Sequence, residues 1–324
     1  MRSRLILLAA CAVALVLPAS ASAAFTVGIS ENEPKMFSDP LFAPVGFKEA
    51  RVIAGYDVAL DPGGFEFARI RDYLAAAKAA GVEPLVSFQH TRGDSSRCNQ
   101  KRYIGKGICK LPSQKAYEKA MKAFFAAFPT AKVISPWNEA NHFTQPTSRN
   151  PGSAAKFTNT VAKLCPTCKL VVADILDQAD DPKAKNPKFT ETEKWIKAFR
   201  KSLKVKRGIC GIHNYSDVNR FRSSGTAAII KALGCKEYWL TETGGLYDFG
   251  SFWSKKTYHG CKSSSSCQVK ATKYMFTLTK KYKQIKRLYV YTWFGGVTPR
   301  FDAGLVADGK PRAALAEIRK YVKS

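Results

Sequence analysis

Eight times along this chain a short apolar run, often β-branched, is followed by a stretch whose apolar residues recur at helical spacing. That alternation leaves few folds open. A strand that returns after each helix is most simply laid parallel to the one before it, with the helix packed over the crossover. The strand-like runs are expected at 25–29, 50–54, 83–88, 133–135, 169–173, 208–212 and 287–292, with one more opening at Tyr238. Between them, Phe67, Ile70, Leu74 and Ala77 form one stripe closed by Gly81. Ser113 is placed to cap a helix carrying Tyr117, Met121, Phe124 and Phe128. Thr190 and Glu193 read as a capping box, 225–233 and 268–281 as helices, and Pro311 as the opening of a last helix. The first connection carries no clear helix. No linker or tandem repeat interrupts the pattern, so residues 25–324 are expected to form one α/β domain, a single (β/α)8 (TIM) barrel, which typically takes about 250 residues.

Residues 1–24 do not belong to that pattern. Arg2 and Arg4 precede the apolar run 5–17, and Ala21-Ser22-Ala23 stands before Ala24, the form of a secretory signal peptide. Cys11 in Leu8-Ala9-Ala10-Cys11 also fits a lipid-anchor box, but it lies early in an apolar run that continues past it, so secretion is the leading expectation. No later segment approaches the ~20 apolar residues of a membrane span. Eight cysteines follow Cys11, and in an exported chain an even set reads as disulfides. Pairing by proximity gives Cys98–Cys109, Cys165–Cys168, Cys210–Cys235 and Cys261–Cys267. Cys165-Pro-Thr-Cys168 could alternatively be a redox or zinc motif, yet no second such pair follows and the chain has four histidines.

The formal charge is +27, or +25 without Arg2 and Arg4. Such an excess favours anionic partners in principle. The lysines are spread over helical stretches such as 194–206 and 270–286, as on a solvated outer face, so nucleic acid is not expected as a partner. No metal cluster and no phosphate-cradling loop is present, so neither metal nor cofactor is expected.

Chemistry is concentrated where apolar runs end. Val133-Ile134-Ser135-Pro136 leads into Trp137-Asn138-Glu139, and Tyr238-Trp239-Leu240-Thr241 leads into Glu242-Thr243-Gly244-Gly245. In a barrel of this kind residues at strand C-termini share one face, so two carboxylates would meet there. His213 and Tyr215 end the sixth run, spaced to point the same way from an extended segment. Trp293 ends the eighth and Arg51 lies in the second. Each has a structural reading beside the functional one: a strand-end carboxylate held by hydrogen bonds, a satisfied core histidine, a tryptophan closing the barrel mouth.

At these residues the chain resembles the retaining glycoside hydrolases of clan A. The resemblance implies that Glu139 is the acid/base, Glu242 the nucleophile and Asn138 the amide that bonds the sugar 2-hydroxyl. It implies further that Arg51 and Tyr215 support the nucleophile, that His213 and Trp137 line the substrate site, and that Trp293 packs against the sugar. The two carboxyl groups of a retaining enzyme stand about 5 to 5.5 Å apart, and the acid/base is expected to titrate above an ordinary Glu. The expected substrate is a polysaccharide or oligosaccharide, acted on by a secreted monomer. The alternative is a catalytically silent barrel that binds glycans through the same cleft.

Overall fold

The computed structural model describes residues 25–181, 184–250, 261, 263–296 and 301–322, so the proposed signal peptide lies outside it. Eight parallel strands close into a barrel in sequence order: β1 (Thr26–Ser30), β2 (Glu49–Gly55), β3 (Glu83–Gln89), β4 (Val133–Ser135), β5 (Lys169–Leu176), β6 (Ile209–His213), β7 (Glu237–Thr243) and β8 (Ile285–Tyr291). The helices outside it are α1 (Phe65–Ala79), α2 (Gln114–Ala127), α3 (Pro151–Leu164), α4 (Thr190–Ser202), α5 (Tyr215–Asn219), α6 (Ser224–Leu233), α7 (Ser264–Lys281) and α8 (Ala313–Val322). The connection from β1 to β2 has two 3-10 turns, Pro34–Ser38 and Ala43–Val45, in place of a helix. Among the described residues no helix is long and apolar enough to cross a membrane.

Local chemistry explains most boundaries. The Ser113 hydroxyl accepts from Ala116 N–H at 3.2 Å and starts α2 as expected. α4 is capped differently from the expected box: Asp180, in the preceding loop, accepts from the N–H groups of Thr190 and Glu191, both at 3.0 Å. α7 starts four residues before the expected 268, because Ser263 and Ser266 form a reciprocal capping box. Pro311 belongs to a two-stranded hairpin, β9 (Val306–Ala307) with β10 (Lys310–Pro311), and α8 begins after it.

Disulfides join Cys98 to Cys109, Cys165 to Cys168 and Cys210 to Cys235. Cys261 and Cys267 are unbonded thiols, so the fourth expected pair is not formed here; α7 encloses Cys267 in its first turn and buries it.

Inside the barrel, strand alternation stacks three layers. Glu49, Glu83, Lys169 and Arg287 form an ionic layer at the N-terminal end. Leu85, Val133, Val171, Trp239 and Tyr289 form an apolar plug above it. The third layer, at the C-terminal end, holds the candidate site. Next to it the Glu31 carboxylate closes the seam between β1 and β8, accepting from Thr292 Oγ1 at 2.7 Å and from the N–H groups of Trp293 and Phe294 at 3.1 and 3.0 Å.

Candidate active site

Arg51, on β2, is the hub of the third layer and has no exposed surface. Its guanidinium donates to Glu242 Oε1 at 2.6 Å, Asn138 Oδ1 at 2.5 Å, and the hydroxyls of Ser30 and Ser87, each at 3.1 Å. It lies 3.5 Å from Asp174 Oδ2, which also accepts from Ser135 Oγ at 3.1 Å; Thr241 Oγ1 donates to the other oxygen. A buried guanidinium needs partners for nearly every N–H. Four strands and the loop after β4 supply them.

His213 joins the two carboxylates. Its Nδ1 lies 3.0 Å from Glu139 Oε1 and 3.4 Å from Glu242 Oε2, while its Nε2 lies 3.0 Å from Asp174 Oδ1. Burial would lower its pKa, but the charges of Asp174 and Glu242 overcome this and raise it to about 10. His213 is therefore an imidazolium that donates from both nitrogens. Asp174 is held well below the usual carboxylate range: burial opposes ionisation, and His213 and Arg51 outweigh it. Tyr215 donates its hydroxyl to Glu242 Oε2 at 3.2 Å.

Glu139 is positioned by its backbone. Asn138 N–H bonds Phe88 O at the end of β3 at 2.6 Å, and Ala140 N–H bonds Asp174 O on β5 at 3.0 Å. Between these anchors Glu139 takes the left-handed conformation, φ 44°, which is costly for a residue with a Cβ and is held only because both neighbours are fixed. Its side chain keeps 18% exposure, and His142 Nδ1 lies 3.5 Å from its second oxygen. The expected upward titration of Glu139 is not found. Burial does push it up, but the His213 hydrogen bond and the nearby His142 and His213 charges bring it below the ordinary Glu value. The expectation placed Glu242 as the neighbour and did not see the imidazolium between the two acids.

Two expected substrate contacts are corrected by burial. Trp293 has 0% exposure; its edge contacts with Phe42 and Phe47 and its indole N–H bond to Asp39 at 3.0 Å leave no face for a sugar. Trp137 is 3% exposed, lies alongside Tyr56 and Phe157, and donates to Gln145. Both are core residues that brace strand tips. Among the described residues the aromatics beside Tyr215 include Phe301, at 5.1 Å, and Tyr291, the last residue of β8, half-buried at 6.3 Å, with burial and then the Glu242 charge raising the Tyr291 hydroxyl pKa.

Asp174 was also missed, since the expected strand stopped at Ala173. A lone acid inside Val171-Val172-Ala173-Asp174-Ile175 is the signal that could have found it. It enters the barrel because the pairing of β5 with β6 shifts register between Val171 and Asp174, and because Gly211 opposite has no Cβ to collide with its carboxylate.

Donor atoms of Glu139, His213 and Glu242 all lie within 4.8 Å of one another, close enough to share a cation. A cation there would have to displace the His213 proton, and Arg51 with His213 already balances two of the three carboxylate charges. The set fits a charged hydrogen-bond network better than a metal centre.

No protein-family model matches the sequence, and no curated protein matches it. Solved structures do. A psychrophilic glycoside hydrolase family 10 endo-β-1,4-xylanase superposes with a TM-score of 0.61 at 14% identity, over 91% of this chain and 96% of that one. A glycoside hydrolase family 113 β-1,4-mannanase gives 0.56 at 15% identity, over 93% and 99%. The β-glucosidase of Thermotoga maritima in complex with azafagomine gives 0.57 at 11% identity, over 93% and 98%. At these identities the similarity establishes a shared architecture: the chain has the (β/α)8 barrel that these glycoside hydrolases use.

Proposed function

We propose that the protein is a retaining β-glycosidase acting on a polysaccharide or oligosaccharide. The observation that carries this reading is the convergence of Glu139 and Glu242 on one nitrogen of His213, with one oxygen from each acid within 4.8 Å of the other. That spacing suits a nucleophile and an acid acting on one anomeric carbon, and an inverting pair stands about 6.5 to 9.5 Å apart to admit water.

Glu242 is the nucleophile, held in place by the hydrogen bonds from Arg51 and Tyr215. It attacks the anomeric carbon while Glu139 protonates the leaving oxygen. A proton for that step has a route from His213, whose Nδ1 lies 3.0 Å from Glu139 Oε1. Water then attacks the glycosyl ester, with Glu139 as base. Arg51 holds the Asn138 oxygen, so the amide NH2 is the part left to donate to a sugar hydroxyl. Tyr291 replaces Trp293 as the aromatic wall. Three disulfides fit an oxidising compartment and support export.

Incubating the purified protein with neutral and acidic polysaccharides and following reducing ends by NMR tests the reading. The first anomer released should be β. An α product sinks retention, and binding without release on every polymer favours the silent glycan-binding barrel.

A further inference from the structure

Cations that are spread along the chain are gathered by folding round one cleft. Lys197, Arg200 and Lys201 on α4, Arg207 in the segment before β6 and Lys231 on α6 line a cavity of about 670 Å³, with Leu203 and Val205 as apolar surface between them. Glu193, about 10 Å back along α4 from Arg200, is the one acid in the lining. The cleft lies between α4 and α6, where both helices run toward the N-terminal ends of β6 and β7, so it opens away from the barrel end that carries Glu139 and Glu242.

Two of the cations are fixed in place. Arg200 Nη1 donates to Ala232 O at 2.7 Å and Arg207 Nη1 donates to Leu233 O, at the C-terminal end of α6 where carbonyls lack helical partners. A guanidinium has five N–H donors, so most of each fork is left over. Lys194, on the same helix, pairs with Glu191 at 2.8 Å; among the described residues none of the five cleft cations pairs with a carboxylate. Five like charges against one acid in a concave surface add their potentials, which scattered lysines do not.

We infer that this cleft anchors an acidic polysaccharide, a chain of uronate sugars, at a site separate from the candidate active site. Carboxylates repeated along such a chain match a row of cations, the Arg200 and Arg207 forks suit carboxylate geometry, and the C–H faces of the sugars have Leu203 and Val205 to lie on. Nucleic acid is a poorer match, because no aromatic residue lines the cleft to stack a base. The anchor would hold the protein on a uronate-rich matrix independently of what the barrel mouth binds.

The test is binding of the Glu242→Gln protein to immobilised polygalacturonate, to its fully methyl-esterified and uncharged form, and to a thymidine oligonucleotide, over a range of salt. Polygalacturonate should bind and the ester should not. Replacing Lys197, Lys201 and Lys231 together by Gln should weaken the binding about tenfold or more and flatten its salt dependence. All three are exposed, so the fold keeps its packing. Replacing Lys115, Lys119 and Lys286 by Gln removes the same net charge from exposed positions outside the cleft and should change the affinity less than about twofold. No binding of polygalacturonate, equal binding of the ester, or equal losses in the two triple variants overturns the site. Tighter binding of the oligonucleotide that depends on the cleft lysines overturns the choice of a polysaccharide.

Discussion

The two ends of the barrel interior carry the same residue types in opposite surroundings. At the N-terminal end Arg287 pairs with Glu83 at 2.7 Å and Glu49 at 3.5 Å, and lies 4.3 Å from the Trp239 ring; Lys169 reaches Glu83 at 3.2 Å. Glu83 and Lys169 keep 41% and 43% exposure while Arg287 and Glu49 keep 14% and 13%, so water screens that layer in part. At the C-terminal end Arg51, Asp174 and His213 have none. Water cannot absorb a lost charge there, so each protonation state depends on the others. The difference teaches that ion pairs close a barrel at one end and set up proton chemistry at the other through burial alone.

The sharpest break between the ends is catalytic. Glu242→Gln should lower turnover by about four orders of magnitude or more on every substrate, since no glycosyl-enzyme forms, whereas Glu83→Gln at the opposite end should leave the rate within about a factor of two. Reducing-sugar assays decide it; comparable losses at both ends would remove Glu242 from its role. Glu139→Ala should be next. It should spare the first step for aryl glycosides whose leaving group needs no proton, and added azide should restore turnover with a β-glycosyl azide as product. An α-azide, or no rescue, would count against the assignment.

Stability should separate the ends less steeply. Arg51→Met strands two buried carboxylates and should cost about 3 to 5 kcal/mol, and Arg287→Met about 1 kcal/mol or less. Urea unfolding gives both numbers, and equal losses would refute the contrast. The smallest effect is the pH dependence, where the C-terminal end adds an alkaline limb that the N-terminal end lacks. His213 titrates at about 10 when folded and near 6.5 when unfolded, so its contribution is complete below 6.5 and is lost as pH rises toward 10. Glu83 is depressed: burial raises it, and the Arg287 and Lys169 bonds more than reverse this. Its contribution is present above the ordinary Glu value and fades as pH falls. Replacing His213 by Gln should flatten the alkaline limb in thermal melts across pH and also weaken the acid limb, because Asp174 and Glu139 lose the partner that depresses them; an unchanged alkaline limb would show that the imidazolium is not the titrating group.

What the sequence determined by itself was whatever follows from period and local spacing. Apolar runs alternating with helical stripes gave eight strands and a barrel, and strand-end positions brought Asn138, Glu139, His213, Tyr215 and Glu242 to one face, with Arg51 on the second strand beneath them. Three of the four cysteine pairs followed from short separation. Tertiary structure decided what depends on register and enclosure. Counting by twos from Val171 points Asp174 outward, and only the irregular pairing of β5 with β6 turns it in; the shift between Leu240 and Thr243 on β7 does the same for Glu242 beside Thr241. Exposure is likewise invisible along a chain. Trp137 and Trp293 carry rings that could stack on sugars and are sealed by aromatics from distant segments, while Tyr291 and Phe143 are left open. The charge state of Glu139 was decided last of all, by a histidine seventy-four residues away, because an acid's affinity for its proton is set by the neighbours the fold supplies.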